Sequence, residues 1–264
     1  MTLTTQPLRR TASATVTALA VLFGLVAITP PVQAQTAASA GAADAGAARD
    51  VHVYDVTLRG IRAAEVSVDA EQAGNGYRVR AVIQTTGLGS AVRRVRFVAE
   101  ATGTTRNGRY RPTRYSEDAD TGKRQSVSVI EYTRSVPRVV AYRSEQDHRA
   151  STVDPATQGG TLDPMTSLYA VLRDTPREAA CTASFASFDG RRRTETRLIA
   201  ATPKGDRLIC QGEYRRIAGY RPEELAERSR FPFTLTYAPL PDGRMRVAEV
   251  SLDTLYGKAV LKRR

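Results

Sequence analysis

The chain has 264 residues, of which 41% are hydrophobic and 25% charged, and it contains no tryptophan. That length allows one large domain or two small ones, with a core that must rest on Val, Leu, Ile and a few Tyr and Phe. The formal charge of +12 points to anionic partners, either nucleic acid or an envelope surface, unless the arginine content merely reflects a GC-rich genome.

Residues 1–34 read as a secretory signal peptide. Arg9 and Arg10 form a positive start, Ala12 to Ile28 is mostly apolar, and Val32-Gln33-Ala34 is a small-x-small cleavage site. The apolar part is short for a spanning helix, which needs about 20 residues; an uncleaved anchor is the alternative. No cysteine stands directly after the cleavage point, so lipidation is not expected, and no later segment is long and apolar enough to cross a membrane. The expected location is the periplasm, where nucleic acid is not met. Residues 35–49, mostly Ala, Gly and Thr, read as a flexible leader.

From Asp50 onward the pattern alternates with period two. Val51 and Val53 open a first run, Gly60 interrupts it, Val66 and Val68 belong to a second, and Tyr77 and Val79 to a third. Gly74-Asn75-Gly76 and Asn107-Gly108 are hairpin turns, because primed turns need positive φ. Arg93 to Thr102 alternates again. Arg111-Pro112 marks a bulged or edge-like segment, since proline cannot donate to a ladder. Ser126 to Tyr132 and Val139 to Tyr142 form a further hairpin with Pro137 near its turn. Glu145 to Gly160 is a polar loop of unusual length, hence functional or mobile. Thr161 to Asp174 holds the one clear helix, with Asp163 as its N-cap and Pro164 at its first position. Pro176 follows its end.

Beyond the helix, Cys181 to Phe188, Arg191 to Ala200 and Arg207 to Ile217 read as strands, with Asp189-Gly190 and Lys204-Gly205-Asp206 as turns. Pro222 to Ser229 supports one or two helical turns. Phe231 to Ala238, Met245 to Leu252 and Tyr256 to Leu261 complete the pattern, and Lys262-Arg263-Arg264 is expected to face water. In an oxidising compartment Cys181 and Cys210 read as one disulfide. On next-nearest strands of a meander, however, they would stand about 10 Å apart, beyond the roughly 7 Å between Cα atoms that a bond tolerates.

The expectation is therefore an all-β protein of roughly twelve to fourteen strands with one central helix at about 164–172. The strands form one strongly curved antiparallel sheet over 50–264, a β-spiral or open half-barrel, or else two sheets over 50–150 and 177–264. Curling would remove exposed edges.

Several short motifs resemble the DUF3108 family of exported bacterial proteins. They are Tyr54-Asp55-Val56 up to Gly60, Arg111-Pro112 with Tyr115, Leu162-Asp163-Pro164 with Thr166-Ser167-Leu168, and Phe188-Asp189-Gly190-Arg191. Cys181 and Cys210 with the Phe-Asp-Gly turn between them also look like the DUF1849 group of β-spiral envelope proteins. Both loosely resemble the half-barrel lipoprotein carriers LolA and LolB. These resemblances imply a periplasmic all-β protein and carry over no catalytic residue.

Arg191, Arg192 and Arg193 with Arg197, Arg207, Arg215 and Arg216 line up as a basic stripe that could bind phosphate or carboxylate; a solvated sheet face is the alternative. Arg93, Arg94 and Arg96 form a second cluster. Asp163, Pro164, Asp189 and Gly190 read as structural. His52 and His148 are far apart and make no metal site by themselves. Gly87-x-Gly89 lacks the rest of a dinucleotide fingerprint, and no nucleophile motif is present. The expected function is a non-catalytic periplasmic envelope protein, without cofactor or metal, that binds an amphiphile or an anionic envelope polymer. Lipid, lipopolysaccharide or peptidoglycan are its partners, with peripheral membrane contact. The alternatives are a protein-interaction scaffold without a pocket and a hydrolase of envelope polysaccharide or ester.

Overall fold

The computed structural model describes residues 47–264 apart from 88, 91–93, 123–124 and 145–151. The stretch expected to be a signal peptide, most of the expected leader, Arg93 and His148 lie outside the described residues. Thirteen strands form a single sheet. They are β1 (Ala47–Leu58), β2 (Ile61–Ala73), β3 (Gly76–Thr85), β4 (Arg96–Arg106), β5 (Arg109–Asp120), β6 (Gln125–Thr133), β7 (Val136–Ser144), β8 (Ser184–Phe188), β9 (Arg193–Lys204), β10 (Arg207–Ala218), β11 (Arg230–Pro239), β12 (Met245–Thr254) and β13 (Gly257–Arg263). Helix α1 (Pro164–Leu172) is central in sequence, and the short α2 (Pro222–Glu227) links β10 to β11. β1 starts at Ala47, three residues inside the stretch expected to be leader.

The strand order runs from β7 down to β1, then β13 down to β8. Two meanders are thus joined where β1 pairs antiparallel with β13, Tyr54 opposite Arg263 and Leu58 opposite Ala259. The expected alternative of two separate sheets is replaced by one unclosed, curved sheet. The reason lies in the chain's last strand, whose Ala259 and Leu261 are buried with the first strand's Tyr54 and Val56. Those side chains continue one apolar surface across both halves.

Period-two patterning sets which face is inside. In β2, Ala64, Val66, Val68 and Ala70 are buried, and in β11, Phe231, Phe233, Leu235 and Tyr237 are. With no tryptophan, tyrosines supply the bulk. Tyr54, Tyr77, Tyr115, Tyr132, Tyr169 and Tyr237 are all buried, and fully removing such a side chain from water contributes roughly 1.5–3 kcal/mol. Helix α1 packs on β3, β4, β5 and β8 inside the curve. Small residues in those strands, Ala81, Ala99 and Ala101, leave it room. Gly103 does the same for Tyr77: a Cβ there would stand 2.6 Å from the phenol oxygen, which shares a 2.8 Å hydrogen bond with the Thr166 hydroxyl of α1.

The helix begins as its sequence predicts. The Asp163 carboxylate accepts from Thr166 N at 2.8 Å and from the Thr166 hydroxyl at 2.6 Å, while Pro164 occupies the first turn, where no amide is needed. Pro112 sits in β5, between β4 and β6 and not at an edge. The register shifts there, so that Gly103 faces Pro112 and Thr102 faces Arg114, and the missing amide falls at the bulge.

The two free edges of the sheet, β7 and β8, come together around Val153 to Leu162. Gly160 N donates to Ser135 O at 2.8 Å, Val153 N to Arg191 O at 2.9 Å, and Leu162 N to Ala186 O at 2.9 Å. The described part of the expected long loop thus straps the edges and hides backbone groups that would otherwise recruit another strand. Cys181 does not lie on a strand. It precedes β8 at a positive φ of 62°, bringing its Cα within 5.3 Å of that of Cys210 in β10, and the two form a disulfide. This removes the spacing conflict that two flanking strands would have posed. Among the described residues no helix is long and apolar enough to cross a membrane.

Candidate functional site

The predicted arginine stripe is divided by the fold. Arg191 and Arg192 lie in the turn ahead of β9, and that turn buries Arg192 while Arg191 and Arg193 stay partly exposed. Arg192 is 4% exposed and Arg216 3%. Both enter a knot around Glu224 of α2. Arg192 Nη2 donates to Glu224 Oε1 at 3.0 Å, Arg221 N donates to Oε2 at 2.9 Å, and Arg216 Nη1 donates to the backbone oxygens of Glu224 and Arg228 at 2.6 and 3.0 Å. The guanidiniums also lie over rings: Arg192 is 4.6 Å from the Tyr220 centroid and Arg216 5.0 Å from that of Phe231. These two side chains hold α2 against β9 and β10, and they are not available to a soluble ligand.

The remaining members lie outside, several beside acidic or polar groups, and Arg207 is exposed at the start of β10. Arg215 lies 3.6 Å from both Glu195 and Glu213. Arg197 is exposed opposite Glu213. Arg193 donates to the Gln158 side chain at 3.3 Å, and Arg191 donates to the Tyr142 hydroxyl at 3.1 Å. Asp189 and Gly190 form the tight turn that sets this up. The Asp189 carboxylate accepts from Arg191 N and Arg192 N at 2.9 and 2.7 Å, and Gly190 takes a φ of 97°.

An uncompensated basic group lies elsewhere. Arg106 and Arg109 flank the Asn107-Gly108 turn as register partners, and Arg111 follows on β5. The next turn on the same side of the meander, between β6 and β7, carries Arg134. All four are exposed, and among the described residues no carboxylate pairs with any of them. Close by, Arg114 and Arg138 share the single carboxylate of Glu131 at 2.6 and 2.8 Å. The signal in the sequence is a hairpin turn embedded in arginines, Arg106-Asn107-Gly108-Arg109-Tyr110-Arg111, whose turn pattern alone does not mark a binding group.

A second cluster stands where the C-terminal side of α1 meets the β1–β13 joint. One ligand atom each of Asp50, His52 and Asp174 lies within 4.8 Å of the others, a donor set that could hold a cation. His52 Nε2 is 2.7 Å from Asp50 Oδ2. Two guanidiniums already occupy the carboxylates: Arg263 Nη1 donates to Asp174 Oδ1 at 2.6 Å, and Arg246 Nη2 stands 3.5 Å from Asp174 Oδ2. Burial acts to raise the Asp50 carboxyl, but the His52 contact and then the Arg263 charge outweigh it and hold it below its ordinary range. Two carboxylates and two arginines balance, so the cluster reads as an ionic seal. Arg263, expected to face water, has a side chain only 6% exposed. Among the three terminal residues it is the one whose alternation points inward.

Inside the sheet lie carboxyls of another kind. Burial pushes Asp163 up to about 6 against the pull of its bonds to Thr166. It pushes Glu117 up to about 7, with the Tyr115 hydroxyl working the other way and the Asp189 charge adding to the rise. The hydroxyl bonded to Asp163 is that of Thr166 and the one bonded to Glu117 that of Tyr115. Ser167 donates to Asp163 O and shares a hydrogen bond with Ser187.

The concave side is occupied by one continuous hydrophobic cluster that includes α1. A polar cleft of about 320 Å³ is lined by groups of β4 to β7, among them Arg96, Asp118, Asp120, Val127 and Arg143.

Comparison with known proteins gives the following. The family model DUF3108, described as a protein of unknown function, matches residues 53–224; β11 to β13 lie beyond the match yet belong to the same sheet. The fold is similar to the crystal structure of a beta-barrel-like protein of domain of unknown function DUF1849 from Brucella abortus. The TM-score is 0.43 and the identity 11%, over 81% of this chain and 94% of that one. None of the curated proteins matches the chain.

Proposed function

We propose a role from the geometry itself, because the chain belongs to the DUF3108 family, whose description assigns no function. The role is that of a non-catalytic protein of the periplasm that binds an anionic envelope polymer at its arginine-bearing hairpin tips. The observation that carries this is the set Arg106, Arg109, Arg111 and Arg134, exposed on neighbouring turns without a carboxylate partner among the described residues. Arginine offers a planar fork to phosphate or carboxylate, and unpaired guanidiniums need shed only water to bind. The filled concave side supports surface binding of a polymer over enclosure of an acyl chain.

The test compares wild type with the Arg106→Ser, Arg109→Ser, Arg111→Ser, Arg134→Ser variant in cosedimentation with purified peptidoglycan and with lipopolysaccharide. Each arginine near an anionic surface contributes on the order of 1 kcal/mol, so loss of all four is expected to weaken binding by about a thousandfold, and salt should weaken the wild type. Equal binding by both proteins overturns the reading. A protein-interaction scaffold is the second reading, and the same filled interior favours it. It predicts a protein partner that crosslinks to wild type and to the four-serine variant alike.

A further inference from the structure

The β8–β9 turn closes the sheet's open side by resting on β6. A Cβ added at Gly190 would meet Ser128 Oγ at 3.0 Å and Ile130 and Val139 side-chain carbons at 3.7 Å. Directly opposite Ser128 on the neighbouring strand is Glu117, half-buried and turned to the same face. The Tyr115 hydroxyl donates to Glu117 Oε2 at 2.5 Å. Ser128 is 1% exposed and its hydroxyl has no partner among the described residues. On the turn's side stands the Asp189 carboxylate, which accepts from Arg191 N and Arg192 N; burial pushes it up, and those bonds with the Arg192 and Arg191 charges oppose the rise. The arginine side chains of the turn are directed elsewhere: Arg191 donates to the Tyr142 hydroxyl and Arg192 to Glu224. Asp163 contributes a more distant negative charge, felt at Tyr115. Among the described residues no ion pair involves Glu117, and the Asp189 charge acts on it across the seam.

We propose that Glu117 is a proton latch for the seam between the two sheet edges. Neutral, it lets the β8–β9 turn settle on β6; ionised, it repels Asp189 and releases the turn. Burial and the Asp189 charge push Glu117 up to about 7, so the closed seam keeps the proton across mildly acidic pH. In the open seam the carboxyl meets water and titrates near its ordinary range. Linkage then fixes the sign. The opening equilibrium rises as pH climbs from about 4.5, by about tenfold per unit, and levels off above about 7. The device stands on different residues from the anion-binding reading and does not depend on it.

The reporter is the Val153 amide, which donates across the seam to Arg191 O. Its hydrogen exchange, corrected for the intrinsic rate, is measured on the full protein at pH 5, 6, 7 and 8. The expected result for wild type is a rise of about tenfold per unit up to pH 7 and a plateau above it. Glu117→Gln should abolish the rise. Tyr115→Phe removes a bond that favours the ionised carboxylate, so its plateau should move to higher pH; this second variant keeps the test open if the first does not fold. A flat wild-type profile, an unchanged rise in Glu117→Gln, or an equal rise at β11 and β12 amides, which would mean global unfolding, overturns the latch.

Discussion

Replacing Glu224 by Gln tests the reasoning about the buried arginines most directly. The side chains of Arg192 and Glu224 are 4% and 2% exposed, and Arg216 is enclosed beside them. The knot therefore has two buried cations and one buried anion. Arg216 is satisfied by two backbone oxygens and by ring faces. Arg192 depends on the carboxylate, with the Tyr220 ring and the Asp189 charge as further partners. Removing the anion leaves a buried guanidinium without its counter-charge, which typically costs 3–5 kcal/mol. It also weakens the bond from Arg221 N that fixes the start of α2. For a domain of this size, about 2–4 °C per kcal/mol makes the expected fall in Tm roughly 6–20 °C. Urea unfolding followed by far-ultraviolet circular dichroism measures the loss in free energy. A paired Arg192→Met, Glu224→Leu variant of similar volume should recover most of it, because the desolvation cost goes with the charges. A loss below about 1 kcal/mol in Glu224→Gln would refute the account and return Arg192 to the list of candidate ligand arms.

The other expectations concern the disulfide and the buried carboxyls. Changing both Cys181 and Cys210 to Ser opens a loop whose cysteines are 29 residues apart, and chain entropy predicts a loss of about 3–4 kcal/mol, readable as a shift in urea midpoint at constant slope. Asp163→Ala should destabilise by about 1–2 kcal/mol through loss of the N-cap, whereas Asp163→Asn, which keeps an acceptor oxygen, should lose much less; equal losses would contradict the cap geometry. Glu117 binds its proton more tightly folded than unfolded, so wild-type stability should decline as pH rises from about 4.5 to about 7 by at most about 3 kcal/mol. Stability of Glu117→Gln, measured at pH 5 and pH 8, should lack that decline.

The alternation of Val66, Val68, Tyr77 and Val79, the turn at Asn107-Gly108 and the cap at Asp163 depend on residues near in sequence, and each is visible there. The fate of the arginines is not. Arg191, Arg192 and Arg193 look equivalent in the chain, yet Arg192 meets a carboxylate 32 residues away. Arg106, Arg109 and Arg111 look like ordinary turn flanks until the fold leaves them without an acidic partner among the described residues. Cys181 stands on the approach to its strand at positive φ, one of the ways out of the spacing conflict, and such a position carries no pattern of its own in the sequence.

The amino-acid order alone determined an all-β chain with one capped helix and hairpin turns, since strand period, φ preference and capping act over a few residues. Tertiary structure alone decided that the last strand pairs with the first, that the free edges are strapped together, and which charges are buried. Those outcomes depend on which groups far apart in the chain come within a few ångströms. Burial and Coulomb interactions act through space, and the linear order does not encode them locally.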